Sequence, residues 1–271
     1  MSEKILFSDM DGTLLTSDKK VSPSLQRLLT KMVHAGNRLV LTSGRSLGSI
    51  LNVAQRSGLL FPDTLIITTN GNEVYDYDGR QFLLRKTVPM DIAQGVIDLA
   101  HKYGLHIQSY NDSHVVCEKD SSELAHYKKA TGMDAFFTDD IMGAIKTPPN
   151  KLLAISLESR SRLEPLRQDV IRLYGDSVTA MFSCDQYLEI FDKTAGKGNA
   201  IRFVCDYLDV PLSGAVAAGD AENDISMLDM AGIGVAMANA DPQVKAHADF
   251  ITEHDNDHDG LADAILKYFS L

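Results

Sequence analysis

No apolar run in this sequence approaches the roughly 18–20 residues that a membrane-spanning helix requires, which excludes an integral helical membrane protein. Cysteine is scarce. Cys117, Cys184 and Cys205 form no CxxC pair and leave an odd one out, the pattern of reduced thiols in a cytoplasmic protein, with packing as the default role of each. Positive charge is short as well. The 26 lysines and arginines stand against 37 acidic residues, a formal net charge of −11, which argues against nucleic acid or an anionic membrane surface as partner. Any anionic substrate then needs a local cation to enter. The N-terminus runs directly into an apolar strand, so no leader is expected. What remains is an ordinary globular composition, 44% hydrophobic and 23% charged. Its 271 residues suffice for one large α/β domain, or for a core with an inserted module.

The chain is organised around Ile5-Leu6-Phe7-Ser8-Asp9-Met10-Asp11-Gly12-Thr13, an apolar run that stops at two carboxylates spaced two apart. Charges at the end of a buried strand are costly unless something pairs with them, and a divalent metal is the usual partner. Ser22-Pro23 then opens a helix with Leu25, Leu28, Leu29 and Met32 at helical spacing. The buried strand Leu39-Val40-Leu41 leads into Thr42-Ser43-Gly44-Arg45, where small residues before a helix start can cradle an anion. A third strand, Leu65–Thr68, ends at Asn70-Gly71, and the runs around Tyr75 and Phe82 read as a hairpin about Asp78-Gly79.

From residue 88 to 189 the pattern changes. A helix over 90–103 precedes two strands around Ile107 and Val115 with a loop at Asn111-Asp112, and a helix over 162–174 precedes two strands around Thr179 and Leu188. Between these copies lie a polar helix near 123–130, a break at Thr147–Asn150 and a strand over 152–157. The repeated helix–strand–strand order predicts an inserted α+β module. The βα rhythm returns where Gly196-Lys197-Gly198 opens a helix, followed by the small-residue strand Ala215–Ala218, which ends at Gly219-Asp220-Ala221-Glu222-Asn223-Asp224. Strands alternating with helices at both chain ends imply one parallel sheet interrupted by an insertion, with 1–87 and 190–271 forming the core and 88–189 the insert. Ligands of such sheets sit at the carboxyl ends of the strands. Asp9, Asp11, Ser43 and Asp220 all fall there, with Lys197 at a helix start.

DxDGT at Asp9–Thr13 together with GDxxND at Gly219–Asp224 resembles the haloacid dehalogenase superfamily, and the insertion resembles the cap of its Cof-type sugar phosphatases (class IIB cap). The likeness extends to Ser43-Gly44-Arg45, Asn70-Gly71, Gly196-Lys197-Gly198 and Asp259-Gly260, with serine at position 43 where relatives usually carry threonine. The resemblance implies a Rossmann-like parallel core with an inserted α+β cap, and a Mg²⁺-dependent phosphatase acting on small phosphorylated metabolites such as sugar phosphates. Asp9 is then the nucleophile that forms an aspartyl-phosphate, and Asp11 is general acid and base, its carboxyl expected to be raised by neighbouring carboxylates. Asp9, Asp11 (through its carbonyl) and Asp220 hold the metal. Met10, Ser43, Gly44, Lys197 and Asn223 bind the phosphoryl group, and Thr13 and Asp224 stand behind them. A phosphomutase sharing the aspartyl-phosphate is the alternative, and a phospho-metabolite sensor the third reading. The expected protein is cytoplasmic, a monomer or weak homodimer, with no nucleic-acid or membrane partner.

Blander readings exist for each residue. Ser43 could be a helix cap, Lys197 a solvated surface lysine, and Asn223 and Asp224 caps of the next helix. Asp9 and Asp11 as mere cap and turn residues fit poorly with the distant partners. Arg45 reads equally as a structural ion-pair partner or a substrate contact, and Asn70 as a residue lining the pocket. Asp255-Asn-Asp257-His-Asp259-Gly260 imitates half an EF-hand, but Leu266 stands where the bidentate glutamate must be. It is a polar loop.

Overall fold

The first strand, β1 (Ile5–Asp9), is buried at every position. Ile5 and Phe7 face one apolar layer and Leu6 the other, so the strand reads as a continuous hydrophobic run. In a computed structural model that describes residues 3–111 and 114–271, it is followed by α1 (Pro23–His34), β2 (Arg38–Thr42), α2 (Leu47–Arg56), β3 (Leu65–Thr68), β4 (Glu73–Asp76) and β5 (Gln81–Arg85). Helix α1 begins where the sequence signals it: Ser22 Oγ accepts the Leu25 N–H at 3.1 Å, and Pro23 occupies the first turn.

Next come α3 (Met90–Lys102), β6 (His106–Tyr110), β7 (His114–Cys117), α4 (Ser122–Thr131), β8 (Asp134–Phe137), α5 (Ile141–Ile145), β9 (Lys151–Ile155), α6 (Arg160–Tyr174), β10 (Val178–Cys184) and β11 (Tyr187–Asp192). The chain finishes with α7 (Lys197–Tyr207), β12 (Ala215–Gly219), α8 (Ile225–Met230), β13 (Ile233–Ala236), α9 (Pro242–Lys245), β14 (Phe250–Ile251) and α10 (Gly260–Tyr268). Two compact units result, Met1–Leu84 with Ala195–Leu271, and Arg85–Thr194.

The first unit holds an eight-stranded sheet in the order β14-β13-β12-β1-β2-β3-β4-β5, parallel from β14 to β3 and antiparallel between β3 and β4. One face packs on α1, α2 and α10 through Leu29, Ile50 and Leu261, and the other on α7 and α8 through Ile201 and Met227. The chain leaves β1 in one direction towards β2 and β3, and returns on its other side as β12. The order therefore reverses at β1, where the crevice of an open α/β sheet forms.

The second unit has its own six-stranded sheet, β10-β11-β9-β6-β7-β8. Its hairpins β6–β7 and β10–β11 flank β9, and both bordering strands run antiparallel to it. Helices α3 and α6 cover one face with an apolar cluster that includes Val96, Ile97 and Leu166. Two elements had no signal in sequence: β8, whose Phe136 and Phe137 stay exposed, and the five-residue α5. Strand β9 also stops two residues before the expected Leu157. Asp112, expected in the loop between two strands, lies outside the described residues.

No helix among the described residues is long and apolar enough to cross a membrane. Cys117 and Cys205 are buried, as packing predicts; Cys184 is exposed, so packing does not account for it. The Asp255–Gly260 loop is a brace rather than an ion cage. Asp257 accepts the N–H and hydroxyl of Ser17 at 2.7 Å each, Asp259 accepts Ser22 Oγ at 2.5 Å, and Asp255 pairs with His258 at 2.6 Å. Asp257 and Asp259 thus tie the segment that follows Thr13 to the start of the C-terminal helix, while Asp255 closes the loop on itself.

Candidate active site

Adjacent strands β1 and β12 end at Asp9 and Gly219, so Asp9 and Asp220 emerge side by side at one sheet edge. Lys197 is the first residue of α7. Its Nζ donates to Asp9 Oδ1 at 2.6 Å and to Asp224 Oδ1 at 2.5 Å, with the lysine side chain fully buried. Asp224 Oδ2 accepts the backbone N–H groups of Asp220 and Ala221 at 3.0 Å each, so both its oxygens are engaged by protein. Gly219 is required here, because a Cβ on it would lie 2.4 Å from Asp224 Cβ. Thr13 Oγ1 donates to Asp220 Oδ1 at 3.0 Å. Lys197 is thus no surface lysine.

Burial, reinforced by Asp224 and Asp220 and opposed by Lys197, raises the Asp9 carboxyl well above the ordinary carboxylate range. Burial and then the Asp224 charge push Asp220 up to about 6. Burial alone would lower Lys197, but Asp224 and Asp9 outweigh it and hold the ammonium firmly protonated.

Asp11 stands apart from this group, and the expectation that carboxylate crowding raises it is wrong. Its two oxygens accept a two-pronged hydrogen bond from Arg45, Nε to Oδ2 and an Nη to Oδ1 at 2.6 Å each, and Lys19 Nζ donates to Oδ1 at 2.7 Å. Burial would raise the carboxyl, but these two cations bring it below the ordinary value. The crowding falls on Asp9 and Asp220 instead. Arg45 is therefore a site residue, pairing as a planar fork matched to a carboxylate. Neither it nor Lys19 was assigned from sequence, since nothing in the spacing of residues 11, 19 and 45 foretells their meeting. Replacing Arg45 by Ala should move the ionisation of Asp11 upward, read as a shift of one limb of the kcat/KM–pH profile. Lys19→Ala should move it less, because Lys19 is over half exposed. An unmoved limb in Arg45→Ala would show that Arg45 does not govern Asp11.

The anion-cradle residues also come together. Ser43 is buried at the end of β2, its N–H bonded to Ile67 O at 2.9 Å, and its Oγ accepts the Arg45 N–H at 3.2 Å. A Cβ on Gly44 would lie 2.9 Å from Asn70 Oδ1, and Asn70 Oδ1 accepts Asn223 Nδ2 at 3.0 Å. Met10 sends its side chain into the core, so only its main chain borders the site. Asn239, unsuspected from sequence, donates to the Gly12 carbonyl at 2.8 Å and steadies the turn after Asp11.

Asp9, Asp220 and Asp224 each bring one oxygen within 4.8 Å of the others. Asp224 already gives both oxygens to protein donors, so Asp9 and Asp220 are the carboxylates of this group that fit a hard divalent cation. Gly12 leaves the space, since a Cβ there would meet Asp220 Oδ2 at 2.3 Å. Asp220→Asn tests the set. The parent carboxyl near 6, against an ordinary 3.8, means that the folded metal-free state binds a proton more tightly than the unfolded state. That protein therefore loses stability as pH rises through this window. Metal-free Asp220→Asn should melt higher than the parent at pH 7, by an amount on the order of 1 kcal/mol, and the gap should close as pH falls below about 6. Its cation requirement for half-maximal activity should rise at least about tenfold.

With this geometry in view, comparison with known proteins is direct. Residues 6–265 match the family of haloacid dehalogenase-like hydrolases. A pyridoxal phosphate phosphatase of Escherichia coli is 27% identical over 276 residues, covering 99% of both chains. A Bacillus subtilis phosphatase of 5-amino-6-(5-phospho-D-ribitylamino)uracil is 27% identical over 275 residues, covering 97% of this chain and 96% of its own. The crystal structure of a haloacid dehalogenase-like hydrolase from Bacteroides thetaiotaomicron superposes with a TM-score of 0.89 at 28% identity, covering 99% of this chain and 100% of that one. The paired strand ends carrying Asp9 and Asp220, the buried lysine between Asp9 and Asp224, and a match along nearly the whole sequence lead to one conclusion: this chain belongs to the haloacid dehalogenase-like hydrolase family.

Proposed function

We propose that the protein is a Mg²⁺-dependent phosphatase of small phosphomonoesters, sugar phosphates or related metabolites, working through an aspartyl-phosphate on Asp9. The observation that carries this reading is the placement of Asp9: a carboxylate at a buried strand end, with one oxygen held by Lys197 and the other, Oδ2, accepting no hydrogen bond among the described residues. Lys197 orients the carboxylate and offsets part of the burial that disfavours its ionised form, so the free oxygen can attack phosphorus while the bond to the leaving oxygen breaks. Asp11 supplies the proton to that leaving oxygen. In the second half, Asp11 takes a proton from water as the water oxygen attacks phosphorus, which releases inorganic phosphate and restores Asp9. The pairing with Arg45 and Lys19 favours the ionised Asp11 needed for this second half; donation in the first requires that the pairing loosen.

Ser43, the Gly44 N–H, Lys197 and Asn223 are the proposed donors to the phosphoryl oxygens. Asp9, Asp220 and the Asp11 carbonyl are the proposed ligands of Mg²⁺, which when bound neutralises phosphoryl charge. With Lys197 it answers how an anion approaches a chain of net charge −11. The small-metabolite reading draws on the two relatives, each named for a phosphorylated metabolite. The inserted α+β unit is our proposed source of selectivity among leaving groups. We place the enzyme in the cytoplasm, as a monomer or weak homodimer.

Phosphate release from sugar phosphates, nucleotides and cofactor phosphates, with and without Mg²⁺, tests the proposal. Stoichiometric inorganic phosphate from a single monoester, with no bisphosphate activator, is the expected result. Isomerised sugar phosphate without release would make the protein a phosphomutase instead.

A further inference from the structure

Strand β3 ends in a conformation found nowhere else among the described residues. Thr69, Asn70 and Gly71 have φ of 53°, 56° and 89°, three left-handed residues in succession, whereas every other positive-φ residue stands alone. Glycine accepts this region freely, asparagine tolerates it, and a β-branched threonine there is a marked outlier. All three residues are buried. Strain of this kind persists only where surrounding contacts enforce it, and it concentrates at functional sites.

The contacts are of one sort. The Thr69 N–H donates to Arg45 O and the Asn70 N–H to Ser43 O, at 3.0 Å each, and Thr68 Oγ1 donates to Arg45 O at 2.7 Å. Gly71 comes so close to the start of α7 that a Cβ on it would lie 2.3 Å from Gly196 O and 2.8 Å from Lys197 N. Asn70 Oδ1 accepts Asn223 Nδ2 at 3.0 Å. One turn therefore touches the Ser43–Arg45 segment, the Lys197 helix start and Asn223, three segments that come from distant parts of the chain.

We propose that Asn70 is a positioning residue for phosphate binding. Its side-chain carbonyl takes one N–H of the Asn223 amide, which sets the orientation of that amide and reserves the second N–H for a phosphoryl oxygen. The left-handed turn holds the Asn70 side chain at the point where it can do this, against Gly44. The inference rests on the reading of the site as a phosphatase with Asn223 as a phosphoryl ligand.

Asn70→Gly is the test, because glycine keeps the turn conformation and removes only the side chain. The probe is inorganic phosphate, measured as a competitive inhibitor of the Mg²⁺-loaded enzyme. Asn70→Gly should raise its inhibition constant about tenfold, Asn223→Ala should raise it by a similar factor, and the double variant should be no weaker than Asn223→Ala alone. Asn70→Ala should lose the same affinity and also melt lower, since alanine disfavours a φ of 56°. If Asn70→Gly binds phosphate like the parent, or if the two single effects multiply in the double variant, Asn70 does not act through Asn223 and the inference is overturned. A parent protein that hydrolyses no phosphomonoester overturns the phosphatase reading itself, which is a separate result.

Discussion

Asp9→Asn should yield a folded protein with phosphatase turnover reduced on the order of 10⁴-fold or more. The substitution replaces the oxygen proposed to attack phosphorus while keeping the shape of the side chain, so chemistry is removed and packing is not. Its stability should not suffer. The Asp9 carboxyl is raised by burial and by the neighbouring Asp224 and Asp220, so its ionised form is held against a penalty at neutral pH. An amide escapes that penalty, and Lys197 keeps its ion pair with Asp224 at 2.5 Å. Thermal melting of metal-free Asp9→Asn at pH 7 should therefore match or exceed that of the parent, alongside the lost turnover. Retention of more than a few per cent of parental kcat would eliminate Asp9 as nucleophile.

Lys197→Met should damage both stability and activity. The ammonium is the shared partner of Asp9 and Asp224, all three side chains lying nine-tenths buried or more. A methionine of similar length fills the space and leaves two buried carboxylates facing each other. Breaking a buried ion pair from one side costs about 3–5 kcal/mol. The loss should shrink on acidification: a carboxyl raised in the folded state binds protons more tightly there than in the unfolded chain, so stability is regained as pH falls. Adding Asp224→Asn should return part of the melting temperature by removing one of the stranded charges. It should not return activity, because the cation beside Asp9 is still missing, and kcat/KM should stay about 10³-fold down. Recovery of turnover in the double variant would show that Lys197 serves only to neutralise Asp224.

Much of the site was legible in sequence because its residues occupy positions that local rules mark. Asp9 and Asp220 each end an apolar run, and the carboxyl end of a parallel strand is where such sheets bind ligands. Lys197 sits between two glycines at a helix start, with Gly196 at a φ of 147° that the sequence already permits. Thr13 and Asp224 were placed behind the site by resemblance, and in the fold both are hydrogen-bonded into the Asp220 turn. The insert was legible from a repeated order of helices and strands, although β8 and α5 were not, being short and carrying no clear periodicity.

What stayed hidden depends on long-range geometry. Arg45 could be read two ways because an arginine after a strand has no local signature; its fork on Asp11 exists only because β1 and β2 are neighbours. The pKa of Asp11 was mispredicted for the same reason, as a carboxyl responds to the charges packed beside it and not to those beside it in sequence. The contact of Asn70 with Asn223, that of Asn239 with Gly12 and the brace at Asp257 are likewise matters of tertiary approach. The sequence by itself determined the fold class, the places of the strand-end carboxylates and, through the resemblance its motifs carry, the family, since apolar periodicity and strand-end motifs are encoded in consecutive residues. Only the tertiary structure decided which cation meets which carboxylate: Lys197 with Asp9 across 188 positions, Arg45 with Asp11 across 34. Burial and distance set those energies, and neither can be read along a chain.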